Sequence, residues 1–159
     1  MSSIGRPSAH DRRWLALAIE LSRRCPPAAG AYSVGAVIVG PDGVEVSRGY
    51  SRETDPHVHA EESALAKLDP ADARLGQATL YSSLEPCTAR RSRPRTCTEL
   101  ILAAGVPRVV IAWREPSLFV ADCRGVETLT QAGVDVVEIP ELAAAAAAVN
   151  AHLPGVGGQ

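Results

Sequence analysis

The chain has 159 residues, of which 46% are apolar and 21% charged, and its formal net charge is -2. That length fits one ordinary domain around a single sizeable core, and the composition excludes a disordered or fibrous chain. The near-neutral charge argues against a protein whose main business is non-specific polyanion binding, and no stretch approaches the roughly 20 apolar residues of a bilayer span.

The opening Met1-Ser2-Ser3-Ile4-Gly5-Arg6-Pro7 lacks the apolar core of a signal peptide, so a cytoplasmic protein is expected. Its four cysteines should then be reduced thiols or metal ligands, not a disulfide framework. Residues 1–159 are expected to form one domain, with flexible ends at about 1–8 and 154–159.

Ser8 and Asp11 are suited to cap a first helix, in which Trp14, Leu17, Ala18, Leu21 and Cys25 recur at helical spacing before Pro26-Pro27 ends it. Residues 34–39 and 44–46 are β-branched runs joined by Gly40-Pro41-Asp42-Gly43, a hairpin signal. A second helix is predicted over 59–68, a strand over 78–84 leading into Glu85-Pro86-Cys87, and a third helix over 97–104 stopped by Gly105. The last third alternates: a strand over 108–112, a helix over 122–132 ended by Gly133, and a strand over 134–137. A closing alanine-rich helix is expected over 141–151. Strand, helix and strand with short connections imply a right-handed crossover between parallel strands. The expected fold class is therefore α/β, in three layers α/β/α, with a mixed five-stranded sheet whose last two strands are parallel.

Chemistry concentrates in His59-Ala60-Glu61, then Pro86-Cys87, then Cys97. One imidazole and two thiolates suit Zn2+, and three protein ligands leave a fourth position for water. A closed structural site would need another ligand, for which His57 and Cys123 are the weak candidates. Glu61 is placed to carry protons between that water and a departing group. Residues two apart on a helix point about 200° apart, so His59 and Glu61 reach one site only off the end of the helix. Cys97 likewise opens its helix, where the positive end of the dipole favours a thiolate.

These residues resemble the zinc deaminases of the cytidine-deaminase-like superfamily, with their H-x-E…P-C-x-x-C signature. Here nine residues separate Cys87 from Cys97 instead of two. Lengthening the loop by that much costs about 1.3 kcal/mol in closure entropy, against roughly 10–16 kcal/mol from zinc in small structural sites. A narrower resemblance accounts for the spacer. Ser83-Leu84-Glu85-Pro86-Cys87, Cys97-Thr98-Glu99, the run Ala103 to Ala112 and Val120 to Glu127 look like the deaminase domain of bifunctional riboflavin-biosynthesis enzymes. That resemblance implies a cytidine-deaminase-like fold and a diaminopyrimidinone ribosylamine phosphate whose ring amino group is hydrolysed to a carbonyl. It also implies a homodimer or homotetramer. Three segments depart from it: Ala31-Tyr32-Ser33-Val34-Gly35 replaces PNPxVG, Gly49-Tyr50-Ser51 replaces Gly-x-His, and Glu115-Pro116-Ser117-Leu118 replaces Asp-Pro-Asn-Pro.

The expected substrate-binding residues are Ser33, His57, Arg93, Arg95 and Ser117. Arg93 matches the position where the resembling enzymes carry Lys or Arg. With Arg90, Arg91 and Arg95 it forms a phosphate clamp or, equally for any single arginine, a solvated loop. Ser33 and His57 read as pocket contacts or as plain loop residues, and Trp113 and Phe119 as base-stacking or packing aromatics. Cys25 and Cys123 are most simply small buried residues. The substrate is expected to be a small nucleobase, nucleoside or nucleotide, of cytosine or guanine type if not of the riboflavin pathway. Transfer RNA adenosine is the disfavoured alternative, because the closing helix has no Lys or Arg. No nucleic-acid or membrane partner is expected. A non-catalytic zinc module is the competing reading, and such a module has no use for Glu61.

Overall fold

The computed structural model describes residues 6–88, 95–116, 123–153 and 156. The first helix, α1 (Ala9–Ser22), starts where expected. Ser8 Oγ accepts the Asp11 N–H at 3.1 Å while the Asp11 carboxylate accepts the Ser8 N–H at 2.9 Å, a reciprocal cap. The helix stops at Ser22, short of Pro26.

β1 (Gly35–Val39) and β2 (Glu45–Tyr50) form the hairpin. β2 runs past the expected 44–46, and its inward-facing Ser47 and Gly49 break the apolar pattern that would have marked the extension. Ser47 Oγ donates to Ala64 O at 2.7 Å. A Cβ on Gly49 would sit 2.6 Å from Ala60 O and Ala64 N, so the missing side chain lets α2 (Ala60–Ala66) lie directly on β2. A 3₁₀ turn, Ala73–Gln77, fills the connection to β3 (Thr79–Ser82) and was not foreseen.

α3 (Cys97–Ala104) has the predicted bounds, and Gly105 ends it in the left-handed conformation at φ 76. β4 (Arg108–Ile111), α4 (Gly125–Gln131) and β5 (Asp135–Glu138) follow. The helix expected from 122 begins at Gly125, and 117–122 lie outside the described residues. The predicted closing helix divides into a 3₁₀ turn, Pro140–Leu142, and α5 (Ala143–Val149).

The sheet order is β2-β1-β3-β4-β5, with β1 antiparallel to both neighbours and β3, β4 and β5 parallel. Val37, Val39, Tyr81, Val110 and Val137 pack on the side of α1 and α5. Ala36, Ile38, Leu80, Val109 and Ile111 pack on the side of α2, α3 and α4. Both faces are covered, so β1 reads as an unbroken apolar run. The three-layer mixed sheet is as expected. No helix among the described residues is long and apolar enough to cross a membrane.

On the α1 side a buried polar cluster ties the layers together. Tyr81 Oη donates to Asp11 Oδ1 at 2.7 Å, and Arg108 grips both Asp11 oxygens at 2.8 Å each. Burial would raise the Asp11 pKa, but the bonds from Arg108, Ser8 and Tyr81 outweigh it and hold the group well below the usual carboxylate range. At the other end of the strands, Ser83 N–H donates to Gly35 O at 3.0 Å and Gly35 N–H to Ser83 Oγ at 3.1 Å. The segment before β1 therefore lies at the carboxyl ends of β3 and β4, where open α/β sheets form their crevices.

Candidate metal centre

His59 directly precedes α2 with extended backbone (φ -88, ψ 161), and its N–H donates to Glu62 Oε1 at 3.2 Å. Its imidazole points away from the helix, with Nδ1 3.3 Å from Cys97 Sγ and 3.6 Å from Cys87 Sγ. Cys97 is the first residue of α3, whose start is fixed by Thr96 and Glu99 in a second reciprocal cap. Its N–H donates to Cys87 Sγ at 3.2 Å. Thr98 holds the Cys87 carbonyl through both its N–H (3.2 Å) and its hydroxyl (2.7 Å). Two helix starts thus converge on one point, as the spacing required.

The three donor atoms lie within 4.8 Å of one another, and theirs is the one such group of three among the described residues. A tetrahedral zinc with ordinary bond lengths sets a nitrogen and a sulfur about 3.5 Å apart. The observed 3.3 and 3.6 Å fit that ion. Cys87 is acidified to about 4, chiefly by its hydrogen bond with Cys97, then by His59, against the opposing effect of burial. A thiolate at neutral pH is what a metal ligand requires.

Glu61 is the second residue of α2 and only 4% exposed. The Ser82 hydroxyl, at the end of β3, lies 3.1 Å from Glu61 Oε2 and 2.8 Å from Leu84 O. Burial pushes the Glu61 carboxyl up; His59 pulls it down and Cys87 adds to the rise. A carboxyl with a raised pKa beside three metal donors stands where a proton shuttle is needed.

The other expected site residues fall differently. Ser33 is buried, and its Oγ accepts from Arg52 Nη2 at 3.0 Å, so that oxygen is engaged within the fold. His57 is exposed on the loop, its N–H donating to Asp55 Oδ1 at 2.8 Å, and it does not join the donor group. Cys123 does not join it either: burial first of all pushes its thiol up to about 12. Arg95 is exposed just before α3. Arg90, Arg91, Arg93, Ser117 and Phe119 lie outside the described residues. Trp113 makes an edge-on contact with Tyr32, with centroids 5.9 Å apart.

Sequence reasoning missed Ser82, which steadies Glu61, and Glu85. Glu85 is 3% exposed, and its carboxylate accepts the N–H groups of Glu115 (3.0 Å) and Val126 (2.9 Å). Glu115 was read only as part of a departing turn. Burial, then Cys87, Glu85 and Glu61, push its carboxyl to about 7 against a hydrogen bond with Cys123. The available signal for Glu85 was an acidic residue between the apolar strand and Pro86-Cys87.

Residues 8–113 match the family described as the cytidine and deoxycytidylate deaminase zinc-binding region. The chain belongs to that family. It is 41% identical over 138 residues to a diaminohydroxyphosphoribosylamino-pyrimidine deaminase of Schizosaccharomyces pombe, covering 85% of this chain and 33% of that protein. It resembles the solved Acinetobacter baumannii RibD with TM-score 0.75 at 31% identity, covering 89% of this chain and 38% of that one. An Aspergillus oryzae Rib2 deaminase in complex with DARIPP shares the fold with TM-score 0.76 at 22% identity, covering 89% and 90%. The chain spans about a third of the length of the curated relatives it matches. As a member of this family it has a zinc-binding region with His59, Cys87 and Cys97 as the donor triad.

Proposed function

We propose that the chain is a hydrolytic deaminase of a phosphorylated diaminopyrimidine, replacing a ring amino group with a carbonyl and releasing ammonia. The observation that carries this reading is a buried carboxyl, Glu61, beside a triad of metal donors among the described residues, two of them at helix starts. A structural zinc clip gains nothing from such a carboxyl, and water needs a coordination position left open by the protein. The substrate class follows from the relatives, named for diaminohydroxyphosphoribosylaminopyrimidine or holding DARIPP.

Zinc, when bound, supplies a nucleophile at neutral pH by acidifying a water to a pKa of about 7. With the metal in place, Glu61 would relay both protons of the attacking water, the first to the ring nitrogen and the second to the leaving amine, so that water is consumed, the C–N bond breaks and ammonia departs. Ser82 holds one oxygen of the Glu61 carboxyl in place. The Cys97 side chain is the chief influence keeping Cys87 ionised, and the Cys97 backbone N–H helps hold it in place. In our reading Arg93 and Arg95 hold the phosphate, while Ser117 and His57 border the pocket. Ser33 acts through the segment it anchors. We also place the chain in a homodimer or homotetramer acting on a small molecule, with no nucleic-acid partner.

Ammonia release by zinc-loaded protein tests the reading across diaminohydroxyphosphoribosylaminopyrimidine, DARIPP, cytidine, deoxycytidylate and guanine. The phosphorylated diaminopyrimidines should be turned over at least a hundredfold more efficiently than the rest. Preference for cytidine, deoxycytidylate or guanine would overturn the substrate class, and no release from any compound would overturn the activity.

A further inference from the structure

We propose that Tyr32 is a positioning residue that holds the substrate side of the metal centre in place, by tying the segment before β1 to the turn after β4. The inference rests on the deaminase reading above and adds a determinant of how the substrate is held.

The backbone around Tyr32 is fixed from two sides. Asn150, at the end of α5 and 2% exposed, accepts the Ser33 N–H at 2.7 Å and donates to the Ser33 carbonyl at 3.1 Å. Arg52 donates to Tyr32 O, Ser33 Oγ and Pro26 O, each at 3.0 Å. Among the described residues Arg52 is the one non-glycine with positive φ, at 61. Such a conformation costs on the order of 1 kcal/mol and persists where surrounding contacts enforce it.

The Tyr32 side chain then crosses to the other loop. Its hydroxyl donates to Pro116 O at 3.1 Å, and its ring meets Trp113 at 87°. That turn is itself fastened to the metal loop: Glu85 N–H donates to Trp113 O at 2.8 Å, and Glu115 N–H returns to Glu85 Oε1 at 3.0 Å. Glu85 stands two residues before the ligand Cys87. One hydroxyl thus joins a wall built by α5 and Arg52 to a wall built by Glu85. The described residues of the three segments that depart from the resembling enzymes meet here, since Tyr32 reaches Pro116 and Ser51, next to Arg52, pairs with Val34 through its N–H and its Oγ. They form one connected rim.

The test is Tyr32→Phe, which keeps the ring against Trp113 and removes only the hydroxyl. With diaminohydroxyphosphoribosylaminopyrimidine or DARIPP, whichever the wild type turns over, KM should rise about three- to tenfold, the usual weight of one hydrogen bond. kcat should stay within twofold and zinc content unchanged. A merely structural role would instead lower the melting temperature and leave KM alone. An unchanged KM, or a fall confined to kcat, overturns the proposal. If the wild type turns over neither compound, the substrate reading fails by itself, and Tyr32 is judged by amide hydrogen exchange. The substitution should then speed exchange at Glu115 about tenfold while leaving β3 and β4 protected, and exchange at the wild-type rate would overturn it.

Discussion

Asp11 and Glu61 are both acidic residues in the first turn of a helix, and both are nearly hidden from solvent, at 3% and 4% exposure. Asp11 is surrounded by donors from Ser8, Tyr81 and both arms of Arg108, and its charge is fully matched. Glu61 has the Ser82 hydroxyl and the electrostatic pull of His59, and burial drives its pKa upward. A carboxylate that stabilises a fold is given counter-charge by the protein. A carboxyl that moves protons is left short of it, so that its pKa is raised. The same residue class in the first turn of a helix thus serves opposite ends of the sheet in opposite ways.

Exchanging each for a mute counterpart should separate the two roles. Glu61→Gln should reduce ammonia release on the order of a thousandfold. Zinc should stay near one per chain, and the melting temperature equal to or above that of the wild type. Activity that survived would remove Glu61 from the mechanism. Asp11→Ala should do the reverse. It removes the bidentate partner of Arg108, leaving only the longer contact with Asp135 at 3.6 Å, and costs about 3 kcal/mol of stability in urea titrations, with kcat and KM unchanged. Because the Asp11 pKa is depressed in the folded protein, its contribution is complete above the ordinary carboxylate range and fades as pH falls below it. The stability gap between wild type and Asp11→Ala should therefore narrow in acid. A gap independent of pH would break the contrast.

How far each region could be read beforehand follows from how its contacts are spaced along the chain. The metal centre was legible because each donor sits at a helix start or beside a Pro that local sequence marks: His59 before α2, Cys97 opening α3, Cys87 after Pro86. The core strands were legible for a similar reason, since burial on both faces leaves apolar runs such as 35–39. β2 was underestimated because Ser47 and Gly49 face inward and break the apolar pattern. The rim could not be read at all. Ser33 meets Asn150 across 117 positions and Tyr32 meets Pro116 across 84, and a buried Asn closing an alanine run has no local signature. Ser33 was picked out by position, while the structure shows its hydroxyl engaged by Arg52, a residue that nothing local distinguished.

The metal centre itself is tested most directly by X-ray absorption at the zinc edge of the purified, zinc-loaded protein. Two sulfurs at about 2.3 Å and two nitrogen or oxygen neighbours at about 2.0 Å, one being water, are the expected shell. A third or fourth sulfur, or protein that retains no stoichiometric zinc, would contradict it.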